Sequence, residues 1–116
     1  MSILAKNLTC DPETINRGTA TVKVSFDARM GGAAQKVYFT LTLEDGLPIY
    51  IEDPYGSEVK SYSWNQTIGG DWHSYEIDID FAVNVTPPNR QPVELTLYAK
   101  DSGGATSKTI GVIYYK

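Results

Sequence analysis

The chain has 116 residues, 14 acidic side chains against 10 basic ones, one histidine and one cysteine. That length suits a single domain over 1–116, able to bury roughly two-thirds of its unfolded surface. A net charge of −4 argues against a nucleic-acid partner, which needs clustered positive charge, and a lone Cys10 excludes an internal disulfide or a cysteine-rich zinc site.

From the start, Met1-Ser2-Ile3-Leu4-Ala5 lacks the basic region and apolar length of a signal peptide. The chain is therefore either not exported by that route or cut from a longer precursor. No later run is long enough to span a membrane. Leu4, Leu8 and Cys10 form a first edge strand, ended at Asp11-Pro12 because proline has no N–H to pair. Ile15 reads as a buried plug. Val22, Val24 and Phe26 then point inward with Thr21, Lys23, Ser25 and Asp27 outward, the period of two that marks a half-buried strand. Gly31-Gly32 turns the chain into a second such strand, with Val37, Phe39, Leu41 and Leu43 inward and Tyr38 outward.

The middle is less regular. Leu47 to Ile51 reads as a short edge strand and Asp53-Pro54-Tyr55-Gly56 as a turn. Val59 to Trp64 reads as one strand whose better register buries Tyr62 and Trp64 through a bulge. After Gly69-Gly70-Asp71 comes the longest alternation, Tyr75, Ile77, Ile79, Phe81 and Val83 against Glu76, Asp78 and Asp80. A stiff proline-rich crossover, Pro87 to Pro92, leads to a closing hairpin. Its arms are Val93 to Ala99 and Thr106 to Tyr115, around Asp101-Ser102-Gly103-Gly104. Ile110, Val112 and Tyr114 share one face, read as the buried one. Seven to eight short strands at this spacing, with no helix, indicate an all-β, two-sheet antiparallel sandwich with Greek-key links.

Two stretches carry a resemblance. Cys10-Asp11-Pro12-Glu13-Thr14-Ile15-Asn16-Arg17-Gly18 before an alternating strand resembles the opening of bacterial and archaeal immunoglobulin-like modules, above all the adhesion-related type of surface proteins. Leu97 to Thr106 is similar to the closing hairpin of those modules and of fibronectin-type and cadherin-like ones. The resemblance implies an immunoglobulin-like fold and a structural or adhesive role at a surface. It transfers no functional residue.

Chemistry is sparse. Asp71, His73 and Ser74 are close in sequence, but neighbours on a strand point to opposite faces and form no triad. Asp78 and Asp80 read as a solvated face. Calcium is the one cofactor left open, through Asp11, Glu13 and Asp101 at one end or Glu52, Asp53 and Glu58 in the middle loop; neither set has a known loop spacing, and the metal ligands stay unknown. Cys10, without a charged activator, should behave as a small apolar residue. Three sequons, at Asn7, Asn65 and Asn84, are potential acceptors in a secreted context.

Aromatic residues are the candidate ligand contacts. Tyr38 and Tyr98 face outward on neighbouring strands, with Tyr115 joining them, and exposed rings can stack on sugar faces. Trp64 and Trp72 flank Gly69-Gly70; alternation places Trp64 in the core and Trp72 outward. Three functions fit: a non-catalytic structural or adhesive module of a surface, secreted or multidomain protein, a carbohydrate-binding module appended to an enzyme, or a capsid or tail decoration domain of a virion. The partners expected are protein or glycan at a surface, with neighbouring domains; the location expected is extracellular or cell-surface, or virion for the third function.

Overall fold

In the computed structural model, which describes residues 2–116, ten strands follow in chain order. They are β1 (Leu4–Asp11), β2 (Thr14–Ile15), β3 (Gly18–Arg29), β4 (Gln35–Leu43), β5 (Ile49–Glu52), β6 (Glu58–Val59), β7 (Ser61–Ile68), β8 (His73–Val83), β9 (Gln91–Asp101) and β10 (Thr106–Tyr115). They form two five-stranded sheets, ordered β1-β3-β8-β5-β6 and β2-β10-β9-β4-β7. All pairs are antiparallel except β2 beside β10. No helix occurs among the described residues, so none there is long and apolar enough to cross a membrane.

The alternating rows do what their period demands. Val22, Val24 and Phe26 of β3, Val37 to Leu43 of β4, Ile79, Phe81 and Val83 of β8, and Val93 to Ala99 of β9 send their inward side chains into one cluster. Each such side chain contributes about 1.5–3 kcal/mol of transfer energy. Phe26 and Phe39 meet across the two sheets, ring centroids 5.0 Å apart. Ile77, on the same alternating row as Ile79, is only partly buried against that cluster.

Four expectations are corrected. Ten strands replace seven to eight, because β2 and β6 are two residues each, too short to show a period. Val59 to Trp64 is not one bulged strand: the chain changes sheets at Lys60, so Val59 faces the core from one sheet and Tyr62 and Trp64 from the other. Lys60 holds that crossing, its ammonium donating to the carbonyls of Leu47 and Ile49 at 2.7 and 2.8 Å; burial lowers its pKa. Nor is β5 an edge, since β6 covers it.

The fourth correction concerns the face of β10. Ile110 and Val112 are 55% and 38% exposed, whereas Ile113 and Tyr115 are buried. The inward row contains Ser107, Thr109 and Gly111 because β1 lies directly against it. The Ala5 N–H donates to Ser107 Oγ at 2.9 Å, and a Cβ on Gly111 would sit 2.7 Å from the Leu8 carbonyl oxygen. Small residues on that row make room for a backbone, and the larger apolar ones are left outside. Cys10 sits on β1, half-buried. Burial, then the nearby Glu13 carboxylate, pushes its thiol up to about 12, as befits an inert small side chain.

Asp101 fastens the N-terminal segment to the β9–β10 turn. It is buried, and one carboxylate oxygen accepts the Ile3 N–H at 3.1 Å while the other accepts those of Gly103 and Ala105, each at 3.0 Å. The Ile3 N–H, ahead of those of the turn, lowers the carboxyl below its usual pKa although desolvation opposes it. A depressed carboxylate contributes stability above its unfolded pKa of about 3.9, lost as pH falls through the folded value. Asp101→Asn should therefore be less stable than the parent at pH 7, with the gap narrowing as the pH drops below about 4. Urea unfolding at a series of pH values checks this; a gap unchanged by pH would refute the role.

The molecule measures 47 × 26 × 21 Å. β1 starts beside the β9–β10 turn, through the Ile3–Asp101 bond. β10 finishes at the other end, where Tyr115 pairs with Gln91 and Ile15. The first and last long strands thus enter and leave at opposite ends of the strand axis.

Candidate functional site

The outer face of the β10-β9-β4-β7 layer is the clearest candidate. Alternation that sends Phe39, Leu41, Leu95 and Leu97 inward sends Tyr38, Thr40, Thr42, Thr96 and Tyr98 outward. Tyr38 is 54% and Tyr98 41% exposed. Lys100 stands opposite Tyr38, and Thr40 opposite Tyr98, so the two rings are diagonal neighbours on adjacent strands. Across β9, Ile110 lies opposite Thr96 and Val112 opposite Glu94. The face carries Ile110 and Val112 on β10, tyrosines and threonines on β9 and β4, and is edged on one side by Ser61, Ser63, Asn65 and Thr67 of β7, which sit opposite β4. A depression of about 540 Å³ opens on it between Glu44, Pro92, Glu94, Ile110 and Val112.

Sequence reasoning found the two tyrosines and missed Ile110 and Val112. The only signal was the inward row of small residues on β10, and it gains meaning once β1 is known to lie there. Tyr115, expected among the exposed rings, is instead buried beside Ile15. Tyr114 takes the outward position, its ring covered by the Arg90 guanidinium at 3.7 Å from the centroid; that guanidinium also reaches Glu13 Oε1 at 3.3 Å.

Trp72 is exposed as expected but belongs to a different place, the loop between β7 and β8. It does not join the tyrosines. Lys6 Nζ lies 4.2 Å and the Arg29 guanidinium 5.3 Å from its ring centroid, so cations already occupy its π surface. Arg29 and Trp72, with Gly31, Gly32, Gly70, Asp71 and His73, line an open pocket of about 490 Å³. Trp64 is partly buried against the core, its ring stacked 5.4 Å from Phe39 and its indole N–H donating to Gln66 at 3.1 Å.

The carboxylates do not converge as sequence proximity suggested. Asp101 is at the hairpin end with its oxygens given to backbone N–H groups, whereas Glu13 is at the far end against Arg90 and Tyr114. Asp53 accepts the N–H groups of Tyr55 and Ser57 within its own turn. Glu52 and Glu58 face each other across β5 and β6. Among the described residues no group of three or more His, Cys, Asp or Glu side chains is arranged to hold a metal ion. Ser74 donates to Asp27 at 2.6 Å, and His73 turns toward the Gly69–Gly70 loop, so the two diverge as strand geometry requires. Ser74, then Asn7, lowers the Asp27 carboxyl pKa.

No family model and no curated protein matches the chain. Solved structures do match its fold. It is similar to the sporulation control protein Spo0M of Bacillus subtilis, with a TM-score of 0.57 and 14% identity over 100% of this chain and 50% of that one. BcpA, the major pilin subunit of Bacillus cereus, gives a TM-score of 0.55 and 8% identity over 98% of this chain and 40% of that one. A conjugative transposon lipoprotein from Bacteroides eggerthii gives a TM-score of 0.50 and 8% identity over 96% of this chain and 95% of the other. The chain spans about half of Spo0M and less than half of the pilin. Identities this low establish the shared all-β sandwich architecture and nothing about activity.

Proposed function

We propose that the chain is a non-catalytic, immunoglobulin-like structural module of a surface or secreted multidomain protein, presenting the outer β4–β9–β10 face to its partners. The observation that carries this reading is the exit of the first and last long strands at opposite ends of a 47 Å axis. Such a unit extends an array in line instead of folding it back. The sheet orders β1-β3-β8-β5 and β10-β9-β4-β7 suit a Greek-key immunoglobulin-like topology. Likeness in fold to a pilin subunit and a lipoprotein supports a cell-surface setting.

Force applied between those ends runs along the strands. It loads the β1–β3 and β9–β10 ladders in shear, where many hydrogen bonds must give way together. Single-molecule pulling on a tandem fusion of copies should therefore show discrete, equal unfolding steps. Each step should lengthen the chain by about 350 Å, the roughly 400 Å contour of 116 residues less the 47 Å folded axis. Gradual yielding without steps would sink the in-line structural role.

A second reading rests on Tyr38 and Tyr98, whose rings lie exposed on one flat face where a sugar could stack. An open face buries little ligand, so binding would be weak, with a dissociation constant of about micromolar to millimolar. Trp72 enters this reading only where a glycan displaces Lys6 from its ring.

A further inference from the structure

We propose that the outer β4–β9–β10 face pairs with the same face of a second copy of this chain, antiparallel, about a two-fold axis that crosses β9 between Thr96 and Tyr98. The distribution of charge along the face points to this occupant. At the hairpin end stand Lys36 and Lys100, with Lys108 one level further in beside Tyr98, and about 20 Å from Lys100 along β9 stand Glu94 and Glu44. Between them lie Tyr98 and Ile110 with the threonines of β4 and β9, and Val112 flanks Glu94. None of the three lysines or two glutamates enters an ion pair among the described residues.

A face that is positive at one end and negative at the other complements a reversed copy of itself. In the cross-strand register, Tyr38 and Lys100 occupy one level, Tyr98, Thr40 and Lys108 the next, then Thr96, Thr42 and Ile110, then Glu94 and Val112. Glu44 joins the last level through its N–H, which donates to the Glu94 carbonyl at 3.0 Å. Reversing the order about the midpoint lays Lys100 of each copy over Glu94 of the other, Tyr98 over Thr96 and the Lys108 stem over Ile110. Both charge pairs form at once. Parallel stacking would instead set lysine on lysine.

The polar strip of β7 forms a rim along one side of the face, as at the margins of ordinary protein interfaces. Size sets the strength. Four strands about 4.8 Å apart and about 25 Å long offer roughly 500 Å² per copy, below the roughly 800 Å² of a stable complex. The pairing is accordingly weak, with a dissociation constant of about 10 μM to 1 mM, and it strengthens where copies are held side by side on a surface.

The pairing extends the module reading, and the two can fail separately, since a lasting monomer that unfolds in equal steps keeps the module and loses the pairing. Sedimentation velocity from about 10 μM to about 1 mM should show a monomer–dimer equilibrium. Ile110→Lys, which would face Lys108 of the second copy, should abolish it. Lys100→Glu and Glu94→Lys should each weaken it at least about tenfold, a loss of about 1.4 kcal/mol, with melting temperatures close to the parent's. Mixing those two single variants in equal amounts should restore dimers, as should combining both changes in one chain. A parent that stays monomeric to about 1 mM overturns the proposal, as does dimerisation that survives Ile110→Lys, or folded charge variants that do not rescue each other. A soluble polysaccharide that shifts the Tyr38 and Tyr98 resonances of a persistent monomer also overturns it, in favour of the glycan reading.

Discussion

Phe39→Ala should unfold at a much lower urea concentration than the parent, having lost about 3–5 kcal/mol of stability. Phe39 is fully buried on β4, the strand between β9 and β7. Its ring meets Phe26 of the opposite sheet and stacks on Trp64 of its own. Truncation removes the transfer energy of the ring and leaves a cavity that two flat sheets cannot close without moving together. A domain of this size has a total of about 5–15 kcal/mol, so most of the margin disappears. Trp64 reports the change directly, since its stacking partner is lost and its emission should shift toward that of a solvated indole. Tyr38→Ala, one residue away and facing solvent, should stay within about 0.5 kcal/mol of the parent. If the two substitutions cost the same, the face assignment of β4 is wrong.

That face assignment was legible in the sequence because β4 is paired on both sides and covered on one face alone, the setting in which period-two patterning is strictest. The same holds for β3, for β9 and for β8 from Ile79 to Val83, whose inward rows emerged as expected. Legibility failed where a second neighbour changes what a face needs. On β10 the inward row is covered by the backbone of β1, so the position that must be smallest, Gly111, lies on the core side while Ile110 and Val112 point out. Counting apolar residues then selects the wrong face. At Lys60 the chain changes sheets within a single residue, and no periodic signal spans so short a link.

The candidate site followed the same rule. Tyr38 and Tyr98 were visible because their neighbours in sequence are unambiguously core, which leaves the rings only the outer face. Lys6 and Arg29 over Trp72 could not be foreseen, since β1, β3 and the β7–β8 loop meet there only through the fold. Asp101 had the sequence appearance of a turn residue or calcium ligand. Its partnership with Ile3 joins positions almost the whole chain apart, beyond the reach of any local pattern.

Gly111→Ala sets two effects against each other, and the steric one should win. Glycine inside a strand costs roughly 0.5–1 kcal/mol relative to alanine, so propensity alone expects a gain. The added Cβ, however, would lie 2.7 Å from the Leu8 carbonyl oxygen and 3.1 Å from Leu8 Cγ. The first of these is backbone and cannot rotate away, so β1 must lift from β10. Lifting it pulls on Leu8 and Ile3, both in the core, and on the Ala5–Ser107 and Ile3–Asp101 hydrogen bonds. Overpacking of this kind costs about 1–3 kcal/mol, enough to reverse the propensity gain. Gly111→Ala should therefore be destabilised in urea, with amide exchange speeding up first along β1 while β4 and β9 stay protected. Gly69→Ala makes the matching control, because its Cβ would meet only the His73 and Tyr75 side chains, at an ordinary 3.7 Å. A Gly111→Ala protein as stable as the parent, with β1 exchange unchanged, would show that β1 does not rest on β10 as described.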